Sequence, residues 1–232
     1  MASPGGLSGT YSFNPALGEL VLYSFGMCGV RRAQVLQEHM LDARIAANLV
    51  LADWLNQGIN LWQVEAITTP LVQGVSAYAV PANVLVMLDA YVTSGPSFAP
   101  TDRTILPVSR TEFASYPNKA QQGPPTVFWM DRLLAPTVTL WPVPDGQETS
   151  LTYYALRQAQ DASLTSGQQV EIPYAWLNAF ALALAEKLAM SWAVERLPVI
   201  SPAAAKAYGI AANANIETAQ QYISPMLSSY WR

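Results

Sequence analysis

The chain has 232 residues, 12 of them basic and 16 acidic, so that charged residues make up 12% of it. That share is about half of the roughly 25% found in a typical soluble domain. With 51% hydrophobic and 10% aromatic residues, the chain can bury a large core, which excludes a disordered, charge-rich segment. A monomer of this composition would have few charges to cover its surface, so we expect an oligomer or a component of an assembly.

Several function classes are excluded by the same composition. The longest uncharged run, residues 66–88, has the length of a membrane span but contains two prolines, a glycine and several polar residues, so no membrane contact is predicted. The first ten residues are small and polar, and we expect no secretory signal. Cys28 and His39 are each the only residue of their type, so we predict no disulfide, no metal site and no cofactor.

Nucleic-acid binding is not favoured either. The formal net charge is -4, and lysine and arginine are scattered singly apart from the pair Arg31 and Arg32. A protein that tracks a phosphate backbone needs a basic stripe. We therefore expect no tight binding of DNA or RNA.

Two helices are predicted before residue 58. Asn14 followed by Pro15 is typical of an N-cap and a first helical position, and the helix that follows, from Ala16 to Phe25, ends at Gly26. Residues 31–56 then have apolar side chains at three- and four-residue spacing, which predicts a long amphipathic helix. Alanines on its inner face favour close packing against other helices.

From residue 61 to residue 156 the pattern changes to strands. Short runs rich in branched and aromatic residues alternate with proline and glycine. Asp145-Gly146 lies between the runs TVTLW and TSLTYYAL and predicts a tight hairpin turn. Ser109 with Glu112 predicts a capping box that opens a brief helix, followed by a long polar loop, SYPNKAQQGPP.

The helical pattern resumes at residue 174. An almost wholly apolar helix is predicted from Tyr174 to Val194, and an alanine-rich one from Ser201 to about Tyr222, with Pro225 releasing the tail. The fold class is thus α+β: a four-helix bundle built from both chain ends with a β-rich, sandwich-like insertion between them. We predict a discontinuous bundle domain of residues 1–58 and 173–223, an insertion of residues 59–172, and a C-terminal docking arm of residues 224–232.

No catalytic constellation is predicted. His39 lies among apolar neighbours on the long helix and Cys28 lies in the turn before it, so both are interpreted as structural residues. The carboxylate pairs Asp145 with Glu148 and Glu38 with Asp42 could in principle supply a general acid and base, although such pairs are usually solvated.

Several stretches together resemble a known family. They include EAITTPLVQGVSAYAVPANVLVMLDAYV and SRTEFASYPNKAQQGPPTVFWMDRLLAPTVTLWPVPDG, with Arg110, Tyr116-Pro117, Trp141-Pro142 and Ile172-Pro173 as the main signature positions. The chain looks like the head-to-tail adaptors of short-tailed bacteriophages, also called tail accessory factors or head completion proteins. The resemblance spans roughly residues 15–200 and leaves the first ten residues and the tail outside it.

What the resemblance implies is a structural virion protein without enzymatic activity, made in the host cytoplasm and placed in the neck between head and tail. Such adaptors form a ring, usually of twelve subunits, that binds below the portal protein, extends the DNA channel, helps to retain packaged DNA and connects to the tail nozzle or fibre protein. DNA is then only passing cargo, which agrees with the absence of a basic stripe.

Two contact sites are predicted. Large apolar groups at a terminus are costly to leave in water, so the tail should dock either on its own domain or in a partner's groove. The predicted portal-binding residues are Tyr222, Met226, Leu227, Tyr230 and Trp231. The predicted contacts to the next tail component are Tyr116, Asn118, Lys119 and Gln121.

Two alternatives remain open from the sequence. One is a cell-wall-degrading, muramidase-like tail component that uses paired carboxylates. The other is a β-rich binding module that recognises a ligand through Trp129, Tyr153 and Tyr154.

Overall fold

The computed structural model describes residues 11, 13–58 and 60–216, and this part of the chain has five α-helices and seven β-strands. The helices are α1 (Leu17–Met27), α2 (Gln37–Gln57), α3 (Arg110–Ser115), α4 (Leu177–Trp192) and α5 (Leu197–Ala214). The strands are β1 (Val64–Pro70), β2 (Ala77–Ala79), β3 (Val84–Ser94), β4 (Thr101–Pro107), β5 (Val127–Asp131), β6 (Thr137–Trp141) and β7 (Glu148–Arg157). The predicted α+β class is confirmed.

The strands form one curled sheet in the order β1-β7-β3-β4-β5-β6-β2. All neighbours are antiparallel except β4 and β5, which run parallel over two residue pairs. Strand β4, which sequence analysis missed, joins the two halves of the sheet, because its first part pairs with β3 and its last part with β5. The predicted sandwich of separate sheets is therefore replaced by a single sheet that bends around its own core, where Phe128, Leu140 and Tyr153 are buried.

The predicted hairpin between β6 and β7 is wrong. Strand β6 pairs with β5 and β2, whereas β7 pairs with β1 and β3. Gly146 does adopt a φ of 96° and Asp145 accepts a hydrogen bond from the Gln147 amide at 3.1 Å, so the local turn is formed. The segment before it bonds instead to the loop after β1, through the Gly74 amide and the Pro144 carbonyl at 2.9 Å. Strands β6 and β7 are therefore not neighbours, and the segment between them crosses from one half of the sheet to the other.

The first two helices begin later than predicted. The Asn14 side chain does not cap α1: it donates to Gln169 Oε1 at 2.9 Å, and the Leu17 amide donates to the Gln168 carbonyl at 2.8 Å. A distant segment therefore replaces the local cap. Residues Arg32–Gln34 form a separate 3-10 turn, and α2 starts only at Gln37.

The last two helices also differ in detail. The strongly apolar helix α4 confirms the predicted helix but is shorter. Two 3-10 turns flank it, Tyr174–Trp176 before it and Val194–Arg196 after it. Helix α5 begins at Leu197 rather than Ser201, because Pro198 occupies its first turn, and it continues through Pro202. It ends at Ala214, whereas the predicted end near Tyr222 lies outside the described residues.

Helices from both ends of the chain do meet, but they do so around one central helix. Helix α4 packs against α1, α2 and α5, and Phe180, Leu184 and Leu188 on it are almost completely buried. The predicted four-helix bundle is not confirmed. Ala159 and Val170 from the segment after β7 also belong to this core, so the helical layer is completed by chain from the predicted insertion.

An aromatic cluster joins the helical layer to the start of the sheet. The Trp176 ring lies 4.9 Å from Trp54 on α2, 4.7 Å from Trp62 just before β1, and 5.6 Å from Tyr208 on α5. Trp176 is 3% exposed. The end of α2, the approach to β1, the turn before α4 and the middle of α5 are thereby held at one point by edge and tilted ring contacts.

We predict that Trp176→Ala lowers the free energy of unfolding by about 3–5 kcal/mol, the usual cost of removing a buried tryptophan or phenylalanine side chain. Chemical denaturation followed by circular dichroism measures the effect. Tyr174 in the same turn is 74% exposed, so Tyr174→Ala is the matched control and should change the stability little. A Trp176→Ala variant as stable as this control would contradict the role of the cluster.

A charged contact ties the end of β7 to the segment that leads into α4. The Arg157 guanidinium is hydrogen-bonded to both carboxylate oxygens of Glu171 and forms an ion pair with Glu65 on β1 at 3.1 Å. The Gln160 amide also donates to Glu171 at 2.8 Å. The hydrogen bonds from Arg157 are the main reason that the pKa of Glu171 lies below its ordinary value of 4.5, against the opposing effect of burial.

A group with a lowered folded pKa stabilises the fold above its ordinary pKa and loses that contribution as the pH falls through the folded value. We therefore predict that Glu171→Gln lowers the free energy of unfolding by about 2 kcal/mol at pH 7, a typical value for charged hydrogen bonds. Its difference from the wild type should shrink below about pH 4.5, where Glu171 protonates in the unfolded chain. Denaturant titrations at several pH values measure this, with the more exposed Glu65→Gln as control. A pH-independent difference would contradict the assignment.

Candidate functional site

The two predicted contact sites fall in different parts of the chain. The tail residues Tyr222, Met226, Leu227, Tyr230 and Trp231 lie outside the described residues. The loop residues Tyr116, Asn118, Lys119 and Gln121 follow α3 on the β layer. This loop, residues 116–125, is the candidate site that the structure describes.

Helix α3 places the loop, and the N-cap half of its predicted capping box is formed. The Ser109 hydroxyl accepts a hydrogen bond from the Glu112 amide at 3.1 Å. The Phe113 amide donates a hydrogen bond to the Ser109 carbonyl at 2.9 Å, which forms the first helical turn. The helix is only six residues long, so it acts as a short spacer that turns Phe113 and Tyr116 towards the sheet.

Two stacked ring pairs fix the loop to the sheet. Phe113 stacks on Trp129 of β5 with ring centres 5.6 Å apart, and Tyr116 stacks on Trp141 of β6 at 4.3 Å. Phe113 and Tyr116 meet edge to face at 6.0 Å. We call these four residues the aromatic ladder. All four are partly exposed, so the ladder is both an anchor for the loop and an apolar surface. Sequence analysis missed Phe113, which lies on α3 three residues before Tyr116, the residue that ends the helix.

Lys119 and Asn118 are engaged within the loop. The Lys119 ammonium donates to the carbonyls of Ala114 and Tyr116, both at 3.0 Å, and lies 5.6 Å from the centre of the Phe113 ring. The Asn118 carbonyl accepts a hydrogen bond from the Trp141 indole at 2.9 Å. Lys119 therefore satisfies carbonyls at the end of α3, and both residues shape the loop in addition to any contact with a partner.

Gln121 differs from its neighbours because only its backbone has a partner in the described structure. The Gln121 carbonyl accepts from the Val143 amide at 2.9 Å, while its side chain is exposed. The Tyr116 phenol is neutral at pH 7, as tyrosine ordinarily is, and desolvation followed by the charge of Glu112 raises its pKa further. The loop thus presents a neutral hydroxyl and a free amide on a fixed backbone, which suits a protein contact.

The single histidine and cysteine have structural roles. His39 is 8% exposed, accepts the Leu36 amide through Nδ1 at 3.1 Å, and packs on Trp192 with ring centres 4.0 Å apart. Cys28 is buried and donates to the Ala185 carbonyl. Burial raises the pKa of the Cys28 thiol to about 11, so the reactive thiolate is scarce at neutral pH.

The carboxylate pairs do not form an open acid and base site. Glu148 is 5% exposed, and burial, followed by the nearby charge of Asp145, raises its pKa. A polysaccharide could not reach a side chain that is so deeply buried. Glu38 and Asp42 lie exposed on α2, where water surrounds them.

The residues proposed for a ligand-binding module are not brought together. Tyr153 is fully buried inside the curled sheet, whereas the adjacent Tyr154 is 45% exposed on the opposite face. Trp129 belongs to the aromatic ladder. Among residues 11, 13–58 and 60–216, no group of three or more potential metal ligands occurs, and no helix in this part of the chain is long and apolar enough to cross a membrane.

The described part of the loop presents partly exposed aromatic rings and polar side chains. Comparison with protein families gives the class: a family model described as SU10 adaptor protein matches residues 32–226. The chain belongs to the SU10 adaptor protein family and is a structural adaptor of a bacteriophage. The expected resemblance is confirmed. The match begins at residue 32 rather than near residue 15, and it continues past residue 200 as far as Met226. No curated protein matches the chain.

Proposed function

We propose that the protein is a head-to-tail adaptor that forms a ring of twelve copies and binds below the portal in the neck of the virion. It extends the DNA channel, helps to retain the packaged genome and connects to the tail nozzle. The match of residues 32–226 to the adaptor family carries this proposal. Family membership identifies the protein as a phage adaptor. The ring, the portal contact and the nozzle contact are what we propose in addition.

The charge distribution supports the proposal. A ring subunit buries two flanks against its neighbours, so a charge content of 12% is sufficient to cover what remains exposed. DNA also slides more freely through a channel without clustered lysine and arginine, because each contact to a phosphate binds the DNA to the channel wall and slows its passage. A net charge of -4 fits this requirement.

We assign opposite partners to the two contact sites. The tail residues Tyr222, Met226, Leu227, Tyr230 and Trp231 would attach the subunit to the portal, since aromatic side chains are the usual anchors of interfaces. The loop of residues 116–125 would contact the tail component below. The aromatic ladder favours this role because it holds the loop in shape before binding, which lowers the cost of ordering it.

Two variants should separate these contacts. We predict that deletion of residues 224–232 weakens co-sedimentation with purified portal at least tenfold while binding of the tail component is retained. Gln121→Arg should do the reverse, because it places a larger charged group on the loop without touching the bonds that shape it.

Gln147 is exposed in another turn of the β layer, so Gln147→Arg is the matched control for the added charge. The proposal would be contradicted if the full-length protein failed to bind portal, or if both variants retained both partners.

A further inference from the structure

An apolar stripe runs along the outer face of α2. Leu41, Ile45 and Leu49 are 51%, 55% and 51% exposed. They are spaced by four residues and so lie on one side of the helix, opposite the buried alanines that face α4. Three large aliphatic side chains in a row are costly to leave in water and indicate a face that is covered in the working protein.

Charges along the stripe are mostly acidic. Glu38 and Asp42 are exposed beside Leu41 and Ile45, with Arg44 on the opposite border. Further along, Asp53 is already paired with Lys187 of α4 at 2.8 Å. The half of the stripe nearest the start of α2 therefore offers two carboxylates to a partner.

Helix α5 presents a second exposed face with the opposite charge. Val199 and Ile210 are 72% and 64% exposed, and the exposed Lys206 lies between them. Lys206 is the one charged residue within α5 (Leu197–Ala214). This face and the α2 stripe are complementary in kind, because each is apolar and the α2 stripe is bordered by Glu38 and Asp42 while the α5 face carries Lys206.

The two exposed faces are turned away from each other. Both α2 and α5 pack against α4 with their alanine-rich sides. Trp54 of α2 also lies 6.0 Å from Tyr208 of α5, on the sides of the two helices that are opposite the exposed faces. Two unlike faces of one subunit that bind each other make a head-to-tail contact, and repetition of such a contact gives a ring when the rotation between neighbouring copies closes.

We propose that the α2 stripe of one copy packs against the α5 face of the next copy, which is the lateral contact of the assembled protein. This inference rests on the proposed function and identifies the surface and the partner of the ring. Helix α2 has 21 residues and is about 30 Å long at 1.5 Å per residue. One such helix contact covers less than the roughly 800 Å² per partner of a stable dimer, so assembly should be cooperative and favoured by a template.

The test uses the full-length chain, alone and mixed with purified portal, with assembly followed by native mass spectrometry and negative-stain microscopy. Ile45→Glu damages only the α2 stripe and Ile210→Glu only the α5 face. Each variant should raise the concentration for half-assembly at least tenfold. Leu134 is 100% exposed in the turn between β5 and β6, so Leu134→Glu is the matched control and should assemble normally.

Mixing the two variants gives a second, independent measurement. An Ile45→Glu copy keeps its α5 face and an Ile210→Glu copy keeps its α2 stripe, so one intact contact forms between them. The mixture, crosslinked at high concentration, should therefore yield pairs but no larger rings. A symmetric contact between two α2 stripes would instead leave Ile210→Glu able to assemble alone, and that result would overturn the proposal.

Failure of this inference differs from failure of the proposed function. If the wild type assembles on portal and both glutamate variants do so equally well, the lateral contact is wrong and the adaptor role is unaffected. If Ile45→Glu prevents single copies from attaching to portal, the stripe binds portal rather than a second copy. If the wild type neither binds portal nor assembles, the adaptor role itself is wrong.

Discussion

The contact of Trp176 with Trp54, Trp62 and Tyr208 is the constraint on which the architecture depends. Trp176 lies in the turn before α4, and its three partners lie on α2, just before β1, and on α5. One buried indole thus fixes where the chain leaves the helical layer and where it returns. The Arg157 and Glu171 contact secures the return path next to it. With entry and exit fixed, the curled sheet and the loop after α3 take a set position relative to the helices.

Local chemistry made part of the fold predictable. The Ser109 cap of α3 is predictable because Ser109 and its partner Glu112 are only three residues apart, and the apolar run of α4 identifies a buried helix. Errors arose where distant segments take part. Asn14 bonds to Gln169 instead of capping α1, and the turn at Gly146 connects strands that pair elsewhere. Strand β4 was missed because only one of its residues, Ile105, is buried, which leaves no alternating pattern to detect.

The position of the candidate site was predictable from the sequence, but the contacts that hold the loop were not. A polar loop after a capped helix was found from sequence, yet the stacking of Tyr116 on Trp141 and the use of Lys119 to satisfy carbonyls depend on strands far along the chain. The outer side of α2 shows the same limit: the sequence predicts an amphipathic helix, yet Leu41, Ile45 and Leu49 are exposed on the side that also carries Glu38 and Asp42. The low charge of the chain is thus explained by aliphatic side chains on outward helix faces as well as by the buried core.

The central claim is that these faces are covered by neighbouring copies in a ring between head and tail. The most direct measurement is a cryo-electron microscopy reconstruction of the neck of the mature virion. The account predicts a closed ring of this chain directly below the portal, with α2 of each copy against α5 of the next and the loop of residues 116–125 against the tail component. A neck in which the chain is absent, or in which single copies bind without touching one another, would contradict it.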